Sequence, residues 1–210
     1  MQAESGTPER LVPSSTPEHE SVLAGRRDAL VRDVERIFVA GGAPVCTWEV
    51  GCGHGHFLNA YAKAHPNEIC IGVDIASDRV ERAMRKRDRA RLANLHFLRT
   101  DARLFLEVLP PALRFSRIFV LFPDPWPKSR HHKHRVMQAD FLAWVARRTA
   151  RGGRLYFRTD HTEYFRDTQA VFAAHPAWRV VEEAWPFEYE TVFQSRADAY
   201  QSLVAGLAGP

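Results

Sequence analysis

Apolar residues in this chain gather into short continuous runs, separated by longer stretches with helical period. The runs APVCTWEV (43–50), EICIGVD (68–74), LHFLRTD (95–101), RIFVLFPD (117–124), RLYFRTD (154–160) and WRVVEE (178–183) predict six strands. Their near-continuous apolar character is that of strands covered on both faces. Between them, Val22, Leu23, Leu30, Val31, Val34 and Phe38 mark an amphipathic helix closed by Gly41 and Gly42. Further helices are predicted over 57–64, 78–92, 104–108, Val136 to Arg151 (stopped by Gly152 and Gly153) and 162–174. From Ala184 onward the chain is aromatic without a clear period, and no internal repeat of fixed length occurs.

Strands alternating with helices predict an α/β fold with an open, mostly parallel sheet and helices on both faces. In such sheets ligands bind beyond the carboxyl ends of the strands, where the strand order reverses. Five successive predicted strands end in Glu49, Asp74, Asp101, Asp124 and Asp160. One acid at a strand end is an ordinary helix cap. Five along one rim predict a site.

Composition adds little to this outline until charge is placed along the chain. With 210 residues and 45% hydrophobic content there is chain for one core-forming domain, expected over 19–210. Residues 1–18, polar and rich in Pro and Ser, read as a flexible leader without a signal or spanning segment. Cys46, Cys52 and Cys70 are odd in number and show no CxxC spacing, so buried free thiols in a reducing cytoplasm are expected. The formal charge is +4, compatible with a polyanionic partner. Seven Arg or Lys fall between Arg79 and Arg91 on one predicted helix. That helix reads either as a phosphate-binding face or as a solvated surface, with Glu81 and Asp88 interrupting it. A second cationic run, Lys128 to Arg135, follows the fourth strand directly.

The segment EVGCGHGHF places Gly51, Gly53 and Gly55 on a strand-to-helix turn, where the backbone approaches a ligand closely. A dinucleotide fingerprint would need glycine at 56, which is His56. The GxGxG pattern with Glu49 before it resembles the first motif of class I S-adenosylmethionine-dependent methyltransferases. That resemblance implies a Rossmann-like sheet and S-adenosylmethionine as cofactor. The acidic rim would then suit the cofactor's ammonium, with Asp74 placed for its ribose hydroxyls and Asp101 facing the adenine amino group.

After the fourth strand stands FPDPWPKSRHHKHR, residues 122–135. It closely resembles the PDPW-x-K-x-R-H-x-K-x-R segment of the tRNA (guanine-N7-)-methyltransferase family, and the likeness extends from about Trp48 to Asp160. The resemblance implies methyl transfer to N7 of a guanosine in tRNA, with the variable loop as the expected location. It assigns cofactor contacts to Glu49, Asp74, Asp101 and Asp124, and substrate contacts to Lys128 and Asp160. Arg130, His131, Lys133 and Arg135 correspond to the RNA-contacting segment, where cations would grip phosphates. Guanine N7 carries no proton, so the reaction needs no general base. Asp124 is the candidate carboxylate favouring the ring as it becomes cationic. Trp126 reads either as a base-stacking platform or as packing for the proline corner. A zinc site from His131, His132 and His134 lacks further ligands at suitable spacing, and no metal is expected.

Near the C-terminus the family carries a T-K-F-E motif followed by arginine; here the residues are TVFQSR. Thr191 and Gln194 are the corresponding substrate contacts, with Val192 and Gln194 replacing a lysine and an acid. That departure motivates an alternative, a related methyltransferase acting on another RNA or a small molecule. The implied partner is tRNA, for a cytoplasmic monomer or homodimer with no membrane association and no obligate protein partner.

Overall fold

The computed structural model describes residues 17–38, 45–190 and 194–208. Helices and strands alternate as α1 Pro17–Phe38, β1 Val45–Val50, α2 His56–Ala64, β2 Ile69–Asp74, α3 Ser77–Ala90, β3 Leu95–Arg99, α4 Ala102–Val108 and β4 Arg114–Leu121. A 3₁₀ turn, Ser129–His134, precedes α5 Ala139–Arg148, β5 Thr149–Thr159, α6 Thr162–Ala174, β6 Trp178–Val181 and β7 Gln201–Leu207. The seven-stranded sheet has the order β3-β2-β1-β4-β5-β7-β6. Strands β1 to β5 pair in parallel, and β7 pairs antiparallel with both β5 and β6.

The chain runs outward from β1 to β3 and then returns to β4 on the other side of β1. The reversal therefore lies between β1 and β4, the place where a ligand crevice opens. Register fixes what meets there. One cross-strand row runs Leu98–Val73–Val50–Val120–Phe157–Leu203, and every residue in it is buried. Every parallel strand leaves the sheet just past this row, so Gly51, Asp74 and the Phe122–Asp124 corner share one rim.

Both faces of the sheet are covered, as the continuous apolar runs require. On one face Trp48 stacks on Phe115 at 4.9 Å and contacts Phe105 and Phe141, with Val34, Phe157 and Trp178 in the same core. On the other, Phe57, Tyr61, Phe97, Phe119 and Tyr156 pack together. All three cysteines are free and buried, and burial pushes their thiols up, Cys70 to about 12. They are inert packing groups at neutral pH.

Three expectations need correction. The helix expected to reach Arg151 ends at Arg148, and Gly152 and Gly153 lie inside β5. Thr149 already pairs with Phe115, and the register between β4 and β5 shifts between Phe115 and Arg117, with Gly152 at φ +80°. Tertiary pairing to β4 overrides the stop signal that two glycines present locally. The sixth strand stops at Val181 rather than Glu183. The unplaced C-terminal stretch supplies β7, which inserts between β5 and β6. The expected leader lies outside the described residues up to residue 16, as do Gly41 and Gly42.

The bulge in β5 leaves no room for a side chain. A Cβ on Gly153 would stand 2.8 Å from the Phe115 carbonyl oxygen and 2.7 Å from Thr149 Cγ2. Gly153→Ala is expected to cost about 1–3 kcal/mol in urea unfolding.

Candidate active site

The glycine turn joins β1 to α2 with Gly51, Gly53 and Gly55 all in the left-handed region, at φ 68°, 52° and 67°. A Cβ on Gly51 or Gly53 would meet nothing within 4 Å, so the turn faces open space on that side. Gly55 differs, because its Cβ would stand 2.6 Å from Phe97 Cζ and 2.7 Å from Ala83 Cβ. The third glycine thus lets α2 and the turn close onto β3 and α3. Asp74 pins the turn from the neighbouring strand: Gly53 N donates to its Oδ2 and Ala76 N to its Oδ1, both at 2.9 Å. Each of these carboxylate oxygens retains a lone pair for a ligand hydroxyl.

Glu49, two residues before Gly51, is 4% exposed, and its Oε2 has no hydrogen-bond partner among the described residues. Burial, and next the charge of Asp74, push its carboxyl well above the usual range, against a pull downward from the Leu58 backbone N–H. A buried carboxyl with an orphaned oxygen, next to a second acid and open space, fits the ammonium of S-adenosylmethionine. Asp101 caps α4, its Oδ1 accepting from the Arg103 and Leu104 N–H groups. The cap uses one oxygen and leaves Oδ2 at the rim. These residues therefore fit the cofactor implied by the glycine pattern.

Beyond β4 the backbone enters a corner that local preferences resist. Phe122 at φ 48° and Trp126 at φ 45° are non-glycine residues in the left-handed region, flanking Pro123, Asp124 and Pro125. Each costs on the order of 1–2 kcal/mol. Contacts from three elements hold the corner in place. Phe122 N donates to the Arg158 carbonyl at 2.7 Å, the Phe122 ring meets Tyr200, and Arg135 Nε donates to the Pro125 carbonyl at 2.7 Å. Asp124 at the apex is exposed and makes no ion pair among the described residues.

Arg135 departs from its expected place on the RNA-contacting arm. It is 3% exposed, donates to Asp167 of α6 at 2.5 Å and lies over the Tyr164 ring. The 3₁₀ turn rotates it inward, and its guanidinium ties the Asp124 corner to α6. Lys128, Arg130 and Lys133 do point to solvent. His131 is half-buried, and with His134 it packs around the Trp126 ring, 5.9 and 5.1 Å between centroids. Trp126 therefore rests on two histidines, and it remains 38% exposed. His132 turns toward α6, where it, Glu163 and Asp167 bring ligand atoms within 4.8 Å of one another. The Arg135 guanidinium already supplies a positive charge there.

Asp160 is exposed at the end of β5. Next to it sequence reasoning missed Arg158, 4% exposed, which organises the C-terminal segment. It pairs with both Glu188 oxygens at 3.1 and 3.2 Å, donates to Ser202 Oγ at 2.9 Å and to Gln194 Oε1 at 3.3 Å, and lies over Trp185 and Tyr200. Gln194 Nε2 donates to the Tyr200 hydroxyl at 3.0 Å. Gln194 thus stands beside the corner through Arg158 and Tyr200. Thr191, Val192 and Phe193 lie outside the described residues. An arginine set directly after the apolar run Leu155–Phe157 was the available signal for Arg158.

Known proteins resemble this chain in sequence and in fold. A family model described as "Putative methyltransferase" matches residues 43–198. The tRNA (guanine-N(7)-)-methyltransferase of Thermosynechococcus vestitus is 33% identical over 160 residues, covering 76% of this chain and 75% of the relative. The chain belongs to the tRNA (guanine-N7-)-methyltransferase family. Within that family, the Rhodospirillum rubrum enzyme is 40% identical over 131 residues, 62% of this chain, and the Nocardia farcinica enzyme 38% over 136 residues, 65% of this chain. The matched stretch spans 51% of each of those two relatives. Among solved structures, NSun6 from Pyrococcus horikoshii superposes with TM-score 0.58 over 87% of this chain and 51% of its own, at 14% identity. An rRNA methylase from Streptococcus thermophilus gives 0.54 over 93% of this chain and 98% of its own, at 11% identity. These two carry the methyltransferase fold.

Two consequences can be measured. Gly53→Ala should cost only the left-handed strain, about 1–2 kcal/mol in urea unfolding, while lowering S-adenosylmethionine affinity more than tenfold by calorimetry. Gly55→Ala should cost about 3 kcal/mol or more, since overlap adds to strain. The second consequence follows from Glu49. A carboxyl raised on folding holds its proton more tightly in the native state, so its contribution is full below the ordinary value of 4.5 and is lost as pH rises through the native value. Cofactor-free wild type should therefore lose thermal stability relative to Glu49→Gln from about pH 4.5 upward. Parallel pH profiles for the two proteins would contradict the raised carboxyl.

Proposed function

We propose that this protein transfers a methyl group from S-adenosylmethionine to N7 of a guanosine in tRNA, with the variable loop as the expected location. The observation that carries this reading is the corner after β4. There an exposed, unpaired Asp124 is held beside the glycine turn with Lys128, Arg130 and Lys133 displayed next to it. The names of the relatives point to the same reaction.

Bound S-adenosylmethionine supplies an electrophilic methyl group. The chain's own residues supply placement and charge. N7 presents a lone pair and no proton, so no side chain has to remove one. Positive charge grows on the purine as the N–C bond forms, and a carboxylate held at the ring favours that change. Two left-handed residues and the Arg135 bond to Pro125 fix the corner that carries Asp124, which supports this role. Preorganisation here means that little reorientation is needed at the moment of transfer. Asp160, exposed at the neighbouring strand end, and Gln194 and Thr191 form the expected guanine-edge contacts. Lys128, Arg130 and Lys133 grip phosphates, with His131 and the half-exposed Trp126 ring beside them as a surface for a splayed base.

No helix among the described residues is long and apolar enough to cross a membrane. The reading places the protein in the cytoplasm with its tRNA, as a monomer or homodimer without an obligate protein partner. Transfer of label from S-adenosylmethionine to unmodified tRNA, mapped by borohydride and aniline cleavage, tests the function. Asp124→Ala is expected to lower turnover at least 100-fold with an unchanged unfolding midpoint. Cofactor binding without tRNA methylation by the wild type would instead favour a related methyltransferase with another RNA or a small-molecule substrate.

A further inference from the structure

Helix α3 carries six basic residues unevenly around its axis, and Arg91 follows as its C-cap. At about 100° per residue, Val80 and Ala83 face the core, where both are buried. Arg79, Arg82, Arg85, Lys86 and Arg89 fall within one solvent-facing sector of about 120°. Glu81 and Asp88 fall on the flank beside it, where Arg87 pairs with Asp88 at 2.6 Å and Arg85 reaches toward Glu81 at 3.8 Å. Asp78 is the one acid in the cationic sector and occupies the first turn, where a helix favours negative charge. Arg79, Arg82 and Arg89 are exposed and make no ion pair or hydrogen bond among the described residues.

This sector adjoins the site. Lys86 Nζ donates to the His54 carbonyl at 2.8 Å and meets His56 Nε2 at 2.8 Å, fastening the middle of α3 to the glycine turn. Within the sector only Asp78 offsets the cationic field. Burial first, and then Arg89 and Arg82, lower the Lys86 pKa, while burial and then Lys86, Arg82 and Arg79 lower that of His54. A solvated helix face ordinarily intersperses its charges; here like charges stand three and four residues apart, an arrangement that opposes the helix itself. A membrane surface does not suit the face, because the apolar side of α3 is used in the core and none is left to insert. A polyanion that lies along the surface does suit it.

We propose that the Arg79, Arg82 and Arg89 face of α3 is a second phosphate-contact surface for tRNA, apart from the Lys128–Lys133 arm. The proposal rests on the tRNA reading above. α3 leaves the rim at β2 and the arm at β4, two strand spacings or about 10 Å apart, so one RNA can reach both. The RNA would then cross the rim over the glycine turn.

The test is filter binding of an unmodified tRNA transcript between 50 and 200 mM salt, for wild type, the triple variant R79Q/R82Q/R89Q and the flank variant E81Q/D88N. The triple variant should bind at least tenfold more weakly at low salt, with a log–log salt slope smaller by about 2, as three lost phosphate contacts require. Its KM for tRNA should rise with kcat at saturation unchanged, and its S-adenosylmethionine affinity and unfolding midpoint should match wild type. The flank variant should not bind more weakly. The single variants R79Q and R89Q should each lower the slope by about 0.7–0.9. Triple-variant binding within twofold of wild type at an unchanged slope overturns the proposal, and so does a wild type that binds no tRNA. Tight tRNA binding that depends on α3 without N7 methylation would leave this surface standing and remove the assigned reaction instead.

Discussion

The site depends on a buried acid that the protein alone does not satisfy. Glu49 sits in β1 beside Asp74 of β2, shielded from water, with one oxygen lacking a partner among the described residues. Desolvating a carboxylate costs several kcal/mol unless an opposite charge comes with it. Burial, and next the Asp74 charge, accordingly raise the Glu49 carboxyl above its usual range. A cationic ligand entering over Gly51 and Gly53 would supply that opposite charge. The electrostatic deficit lies where the parallel strands end, where a cationic ligand would meet it.

Everything else at the rim is positioned by the sheet register. The Leu98–Val73–Val50–Val120–Phe157–Leu203 row places five loops at one level. The acids then serve in different ways: Asp74 pins the glycine turn, Asp101 caps α4, and Asp124 stands exposed at a strained corner. Two buried arginines oppose that strain from opposite sides. Arg135 ties the corner to α6, and Arg158 gathers Glu188, Gln194 and Tyr200 from the C-terminal segment against β5. Arginine suits both positions because its planar fork satisfies several acceptors at once while its face packs on an aromatic ring.

The parallel core was legible in the chain because each buried strand is a continuous apolar run that stops at an acid. The glycine turn was legible because left-handed backbone narrows the choice of residue at Gly51, Gly53 and Gly55. What escaped was long-range. Arg135 reads as one more cation in a basic run; only contacts to Asp167 and Tyr164, some thirty residues on, turn it inward. The pairing of Thr149 with Phe115 overrides the helix stop that Gly152 and Gly153 suggest. β7 owes its place to antiparallel partners β5 and β6, and its short run QSLVAGL carries little local signal. For α3, the charge count was visible in the sequence, but which arginines stay unpaired depended on where the helix packs.

Burial and Asp74 raise the Glu49 carboxyl in the empty protein, and a ligand's positive charge should lower it again. Carbon-13 NMR titration of the Glu49 side-chain carboxyl, with Glu49→Gln for assignment, addresses this directly. Without ligand the resonance should titrate well above the ordinary 4.5, and saturating S-adenosylmethionine should move it sharply downward. An unliganded carboxyl that titrates near 4.5, or one that S-adenosylmethionine leaves unmoved, would contradict the account.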